Sequence, residues 1–214
     1  MQPLLSVGAR YHHGRLREAL LEASREILGE SGARALSLRE AARRAGVSSA
    51  APYRHFQDKG ALLVALAHAA FTRLDAQLDE VARANADSPA LERVQRLGVT
   101  YVGFAAQHPA EFRLMFGELA PAADSSPELA AITASTASHL PRALADLRFE
   151  HDSESPPLQE LTLLAWSIVH GLSTLWLDGH LQRFGDHGVE LVTEQITSVL
   201  VAALQGRIRT KAPG

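Results

Sequence analysis

Residues 37–63 read SLREAARRAGVSSAAPYRHFQDKGALL, and their spacing specifies two short helices joined by a tight turn. Ser37 is followed three residues later by Glu40, so each side chain can satisfy the other residue's free backbone N–H in a capping box. Leu38, Ala41, Ala42 and Ala45 supply a short inward face, and Gly46 permits the turn that ends this helix. Val47 is placed to plug the angle between the two helices. Ser48 can cap a third, very short helix running to about Phe56, with Pro52 tolerated in its first turn. Asp58 then caps a long helix whose Leu62, Leu63, Leu66, Phe71, Leu74, Leu78 and Val81 keep the helical period to about Ala84. Two short helices with a turn of three or four residues between them have helix-turn-helix geometry.

Outward from this segment, the rest of the chain is helical as well. Toward the N-terminus, Leu16, Ala19, Leu20, Ala23, Ile27 and Leu28 form one apolar face of a first helix, which Gly32 should stop. Toward the C-terminus the pattern predicts helices at about 90–106, 109–118, 127–147, 157–181 and 188–205. The breaks fall at His108-Pro109, Ala120-Pro121, residues 152–157 and residues 185–188, and Pro141 should kink or divide the 127–147 segment. No alternating strand pattern of useful length is present. The expected fold is all-α, with a helix-turn-helix domain over residues 1–60 and a helical ligand-binding and dimerisation bundle over 61–214. Helix 58–84 connects them.

Composition fits this division. Of the 214 residues, 46% are hydrophobic and 21% charged, ordinary for a globular protein. There is no cysteine, which excludes disulfides, thiolate metal sites and thiol nucleophiles. Residues 1–60 carry ten Lys/Arg against six Asp/Glu, while residues 61–214 carry eleven against eighteen. A basic end of net charge +4 on a body of −7 suits a module that faces a polyanion. The start lacks the apolar run of a secretory signal, so the expected compartment is the cytoplasm. The longest uncharged run, residues 161–177, contains Thr162, Ser167, His170, Gly171, Ser173 and Thr174. It reads as a helix buried on most sides within protein rather than a membrane span.

The stretch quoted first resembles the DNA-binding signature of the TetR family, in which a capped helix, a Gly-Val-Ser turn, a Tyr-x-His-Phe ending and a following lysine recur. The resemblance covers about residues 12–66. It implies that Ser37, Ser48, Tyr53, His55 and Lys59 hold the sugar-phosphate backbone, partly through free N–H groups at helix starts. Base reading then falls to Arg39, Ser49, Ala50 and Arg54, because arginine can grip guanine at two atoms and alanine can meet a thymine methyl. Taken singly, Tyr53 can pack and His55 can cap; their joint spacing favours DNA. Phe56 belongs to the core. Arg10-Tyr11-His12-His13-Gly14 resembles a lead segment of one subgroup and reads either as an arm laid along DNA or, with less support, as a pair of metal-binding histidines. Arg15 stands where that subgroup has Asp or Asn, so a cap is lost and a phosphate contact is gained.

Tyr101, Phe104, Phe112, Met115, Phe116, Trp166, Trp176 and Phe184 enrich the C-terminal half in aromatics and methionine. Most such stripes are core, yet the resemblance implies a cavity for a small apolar or amphipathic effector there, with His170 as a candidate contact or a hydrogen-bonded core histidine. Trp166, His170 and Gly171 are similar to the Trp/His-Gly signature of one C-terminal class, and Gly171 suggests close helix approach. The resemblance also implies a homodimer through helices 157–181 and 188–205, using Val189, Val192, Ile196, Val199, Leu200 and Leu204 for that face or for the core. A dimer of this kind binds a palindromic operator on double-stranded DNA, and repression relieved by the effector is the expected mode. No phosphate loop, nucleophile elbow, His-Glu-x-x-His or paired carboxylate supports an enzyme, and no cofactor or membrane partner is expected. The rival reading is a DNA-binding or nucleoid-type protein without an effector.

Overall fold

The computed structural model describes residues 13–147, 156–181 and 188–205. Helices account for all the regular structure among them: α1 (His13–Ala35), α2 (Leu38–Arg44), α3 (Lys59–Ala84), α4 (Ala90–Gln107), α5 (Pro109–Phe116), α6 (Pro127–Leu144), α7 (Leu158–Leu177) and α8 (Val189–Gln205). Short 3-10 turns lie at Ala51–Arg54 and Ala123–Ser125. The chain forms two compact units, Met1–Leu66 and Ala67–Gly214. None of the described helices is long and apolar enough to cross a membrane.

In the first unit α1 buries Leu16, Leu20, Ala23, Ile27 and Leu28, the face read from the sequence. Gly32 leaves helical geometry at φ 74°, which an L side chain resists, and so breaks α1 one turn before its end. Ser37 caps α2, its Oγ accepting the Glu40 N–H at 3.1 Å. The return half of the expected capping box is not made: the Glu40 carboxylate takes two bonds from the Arg43 guanidinium instead, at 2.8 and 2.6 Å. Gly46, at φ 69°, supplies the left-handed residue of a Schellman turn. There Val47 N–H donates to Ala42 O and Gly46 N–H to Arg43 O. The element after it is shorter than expected. A single 3-10 turn replaces a helix to Phe56, and Ala50, which makes no side-chain bond, holds the cap position assigned to Ser48. Two alanines and Pro52 begin this element, and none carries a hydroxyl to receive the free N–H groups.

In the second unit α4 is the central helix, packed against α5, α6, α7 and α8. Val94, Leu97, Tyr101, Val102 and Phe104 are buried along it. The close approach expected at Gly171 occurs instead at Gly98. A Cβ at Gly98 would stand 3.1 Å from Val169 Cγ1 and 3.5 Å from Thr197 Cγ2, whereas one at Gly171 would meet nothing within 4 Å. On the facing side of α8, Thr193 and Thr197 are buried and donate to carbonyls one turn back at 2.6 and 2.7 Å. Pro141 does not divide α6, which runs on to Leu144 as one helix. The uncharged run 161–177 lies within α7 but is not buried on most sides within the chain. Leu161, Ala165, Val169 and Leu172 face inward, while Leu163, Leu164, Trp166 and Leu175 remain exposed.

Candidate functional site

Two sites arise, one in each unit. In the first, Ser37, Arg39, Tyr53 and Lys59 come together around a depression of about 280 Å³. Ser37 and Arg39 arrive from the start of α2, Tyr53 from the 3-10 turn and Lys59 from the first residue of α3, which Asp58 caps through a 2.8 Å bond to the Ala61 N–H. Tyr53 is 54% exposed although Pro52 beside it and Phe56 below it are buried. An aromatic ring that the core has left outside is available to an external partner. Ser48, Ser49, Ala50 and Arg54 are exposed as well, and His55 is half-buried. Lys59 has an internal use that the sequence did not reveal: its Nζ donates to Arg34 O at 3.0 Å. An ammonium carries three N–H bonds, so this contact orients it and leaves donors for an outside anion. Arg10 and the Arg15 side chain, with the proposed arm, lie outside the described residues.

The second site is a cavity of about 930 Å³ within the second unit. Phe71 and Leu78 from α3, Tyr101 from α4, Met115 and Phe116 from α5 and Trp166 from α7 contribute to its wall. Of the side chains expected to meet a ligand, Tyr101, Met115, Phe116 and Trp166 therefore line it. Phe104 and Phe112 are buried behind the wall, and Trp176 is not part of it. His170 also stands behind, ringed by Phe112 (5.5 Å between centroids), Phe116 (5.0 Å) and Trp166 (5.3 Å). Its Nδ1 lies 2.9 Å from the Tyr101 hydroxyl, into which the Trp166 indole N–H donates at 3.4 Å. Burial lowers the His170 pKa from its ordinary value. The Tyr101 phenol is raised far above its own, again by burial, with the Trp166 bond opposing in part. The site is thus an apolar chamber with a neutral hydrogen-bonding cluster at one wall.

Sequence reading missed a second polar pair. His139 of α6, buried at the cavity wall, places Nε2 3.1 Å from Asp75 Oδ1 of α3. The partners are 64 positions apart, and no local pattern joins them. Arg73 likewise pairs with the buried Glu111.

Comparison with known proteins agrees with this two-part arrangement. A family model described as bacterial regulatory proteins, tetR family, matches residues 20–66. A tetracyclin repressor-like C-terminal domain matches residues 94–204. No curated protein gives a significant match. Among solved structures, a protein of unknown function from Rhodococcus sp. RHA1 is 32% identical over 94% of this chain and 100% of its own, with a TM-score of 0.75. The regulator FadR from Bacillus subtilis, solved in complex with stearoyl-CoA, is 16% identical over 87% of this chain and 98% of its own, with a TM-score of 0.68. The ketosteroid transcriptional regulator KstR2 of Mycobacterium tuberculosis is 21% identical over 91% and 96%, with a TM-score of 0.60. At those last two identities the likeness is one of fold.

Proposed function

Because this chain belongs to the TetR family of bacterial regulatory proteins, whose members are DNA-binding regulators rather than enzymes, we propose that it is a ligand-responsive transcriptional repressor. It binds a palindromic operator as a homodimer and is released by a small molecule in the second-unit cavity. The observation that carries this reading is the continuity of α3. This one helix begins with Lys59, at the depression framed by Ser37, Arg39 and Tyr53, and ends beyond Phe71 and Leu78, which wall the cavity. At about 1.5 Å per residue it is a rod that can carry a displacement from one site to the other. A ligand shifts the operator-binding state only if it prefers one position of that rod.

Exposure of Arg39, Ser48, Ser49, Ala50, Tyr53 and Arg54 is compatible with the roles the resemblance implies. Arg39, Ser49, Ala50 and Arg54 then read base edges, and Ser37, Ser48, Tyr53, His55 and Lys59 hold phosphates. Dimerisation is supported by α7 and α8, which touch each other and leave Leu163, Trp166, Leu175, Leu191, Ile196 and Val199 exposed on the chain taken alone. Apolar side chains left exposed on two neighbouring helices are the kind of surface a second copy can cover. Relatives of the same fold include one solved with stearoyl-CoA and one named for ketosteroids, and a roomy apolar chamber suits an effector with a large hydrophobic part.

The test is genome-wide selection of fragments bound by the purified protein, followed by competition with candidate ligands. Recovery of a roughly palindromic sequence, and its loss on adding one hydrophobic compound, is the expected result. Binding with no sequence preference, or preference that no ligand disturbs, would favour a nucleoid-type protein without an effector.

A further inference from the structure

The wall of the second-unit cavity is unusual in what it lacks. Among the described residues that line it there is no Lys, Arg, Asp or Glu. The Tyr101–His170 pair is neutral at neutral pH, since burial opposes the ionised phenol and the protonated imidazole alike. His139 already has a carboxylate partner, its Nε2 lying 3.1 Å from Asp75 Oδ1. An anion entering this chamber would leave water and find no countercharge, at a cost of several kcal/mol.

The polar groups on the wall are neutral ones. Thr133, Thr136, Thr162 and Thr197 each donate to the carbonyl four residues earlier in their own helix, at 2.7 to 2.9 Å, so their oxygens can only accept from a ligand. Gln95 and Gln159 add amide groups, the Gln95 Nε2 already donating to Glu194 O and Ser198 Oγ. Tyr101 stands beside Phe116 and Trp166. Its oxygen accepts from Trp166, and its relation to His170 depends on the imidazole tautomer. If Nδ1 is bare, the phenol donates to it and keeps one lone pair for a donor. If Nδ1 carries the hydrogen, the phenol accepts it and keeps its own hydrogen for an acceptor. In both cases one valence of Tyr101 remains.

Resting on the reading of this cavity as the effector site, we infer that its ligand is an uncharged, largely apolar molecule with a neutral oxygen function, a hydroxyl or a ketone, to which Tyr101 offers a hydrogen bond. Free carboxylates and coenzyme A thioesters, the latter being what the Bacillus subtilis relative holds, find no countercharge on this wall and are disfavoured by it.

The experiment uses the full chain and an uncharged reporter dye, N-phenyl-1-naphthylamine, displaced by dodecan-1-ol, dodecan-2-one, dodecanoate or dodecanoyl-coenzyme A at neutral pH. At least one neutral probe should displace the dye at a concentration about tenfold or more below that of dodecanoate and the thioester, as expected for desolvating an unpaired charge. Tyr101→Phe should weaken that probe by about two- to tenfold relative to the dye measured on the same variant, the worth of one hydrogen bond. Equal or tighter binding of either anion overturns the inference, as does a Tyr101→Phe protein that binds both neutral probes unchanged. Thr133→Trp, which puts bulk into the chamber, separates the two levels. If the dye never binds, or binds Thr133→Trp equally well, the cavity is not a ligand site and the inference falls with that reading. If Thr133→Trp abolishes dye binding and the anions still win, only the chemistry assigned to the ligand is wrong.

Discussion

His170 of α7 and Tyr101 of α4, 69 positions apart in sequence, meet across a 2.9 Å hydrogen bond. Burial disfavours the charged form of both, so the folded chain titrates differently from the unfolded one at this point.

For His170 the unfolded pKa is near 6.5 and the folded value lies below it. Between the two, the unfolded chain holds a proton that the folded chain does not, and stability therefore falls as pH falls through this window. Thermal melts from neutral pH downward should show a loss of stability beginning near pH 6.5 that is smaller in His170→Gln, which has no titrating ring. Identical pH profiles for the two proteins would falsify the assignment. At the other extreme, the raised phenol of Tyr101 predicts a loss of stability as pH rises past 10, absent from Tyr101→Phe.

Ser37 has two proposed roles that one pair of variants separates. Its Oγ accepts the Glu40 N–H at 3.1 Å, and removing that cap in Ser37→Ala should cost about 1 kcal/mol in urea denaturation. Ser37→Asp restores the cap but brings an anion to a position assigned to phosphate. It should match the wild type in stability and bind operator more weakly. Tight operator binding by Ser37→Asp would mean that DNA does not dock there.

Arg39 and Lys59 frame the same depression but should fail differently. Lys59→Ala loses a phosphate donor in each protomer, so operator affinity of the dimer falls and the slope of log K against log salt becomes shallower by about 1.8, roughly 0.9 per contact. Arg39→Ala should instead lose discrimination at one base pair in each half-site, by about 1–3 kcal/mol per site. Matched-salt binding titrations with single-base operator variants read both effects. A uniform loss across all sequences for Arg39→Ala would move it to the phosphate-holding group.

Val199 is 69% exposed and Leu163 58% exposed. Carboxylates there would be solvated in a monomer and unpaired in an apolar interface. Val199→Glu and Leu163→Glu should sediment as monomers with unchanged helical content, and should bind a full palindrome no better than half of it. If both variants remain dimeric, α7 and α8 do not form the interface.

The local features of the fold were legible because caps and turns are decided within a few residues. Ser37, Asp58 and Gly46 each do what their chemistry requires of the adjacent backbone. Reading failed where the outcome depended on a distant neighbour. Gly171 permits close approach, but only contact with another helix makes a glycine necessary, and Val169 and Thr197 provide that contact at Gly98. Ser48 offered a plausible hydroxyl cap, yet the cap position falls two residues later, at Ala50, and the turn begins at Ala51. The cavity was partly legible. An aromatic stripe points to Tyr101, Phe116 and Trp166, but the helical period cannot tell them from Phe104 and Phe112, which fill the core behind them. The His139–Asp75 pair had no signal in sequence, since its members belong to helices that only tertiary packing brings together.

Trp166 is 42% exposed on α7 and also stands in the cavity wall. One indole therefore borders both the chamber and the surface that a second copy would cover. Linkage makes any effect between them reciprocal: the factor by which an occupied chamber alters self-association is the factor by which self-association alters occupancy. Apparent effector affinity should then vary with protein concentration, and the sensitivity of the response would be set in part by how much regulator is present.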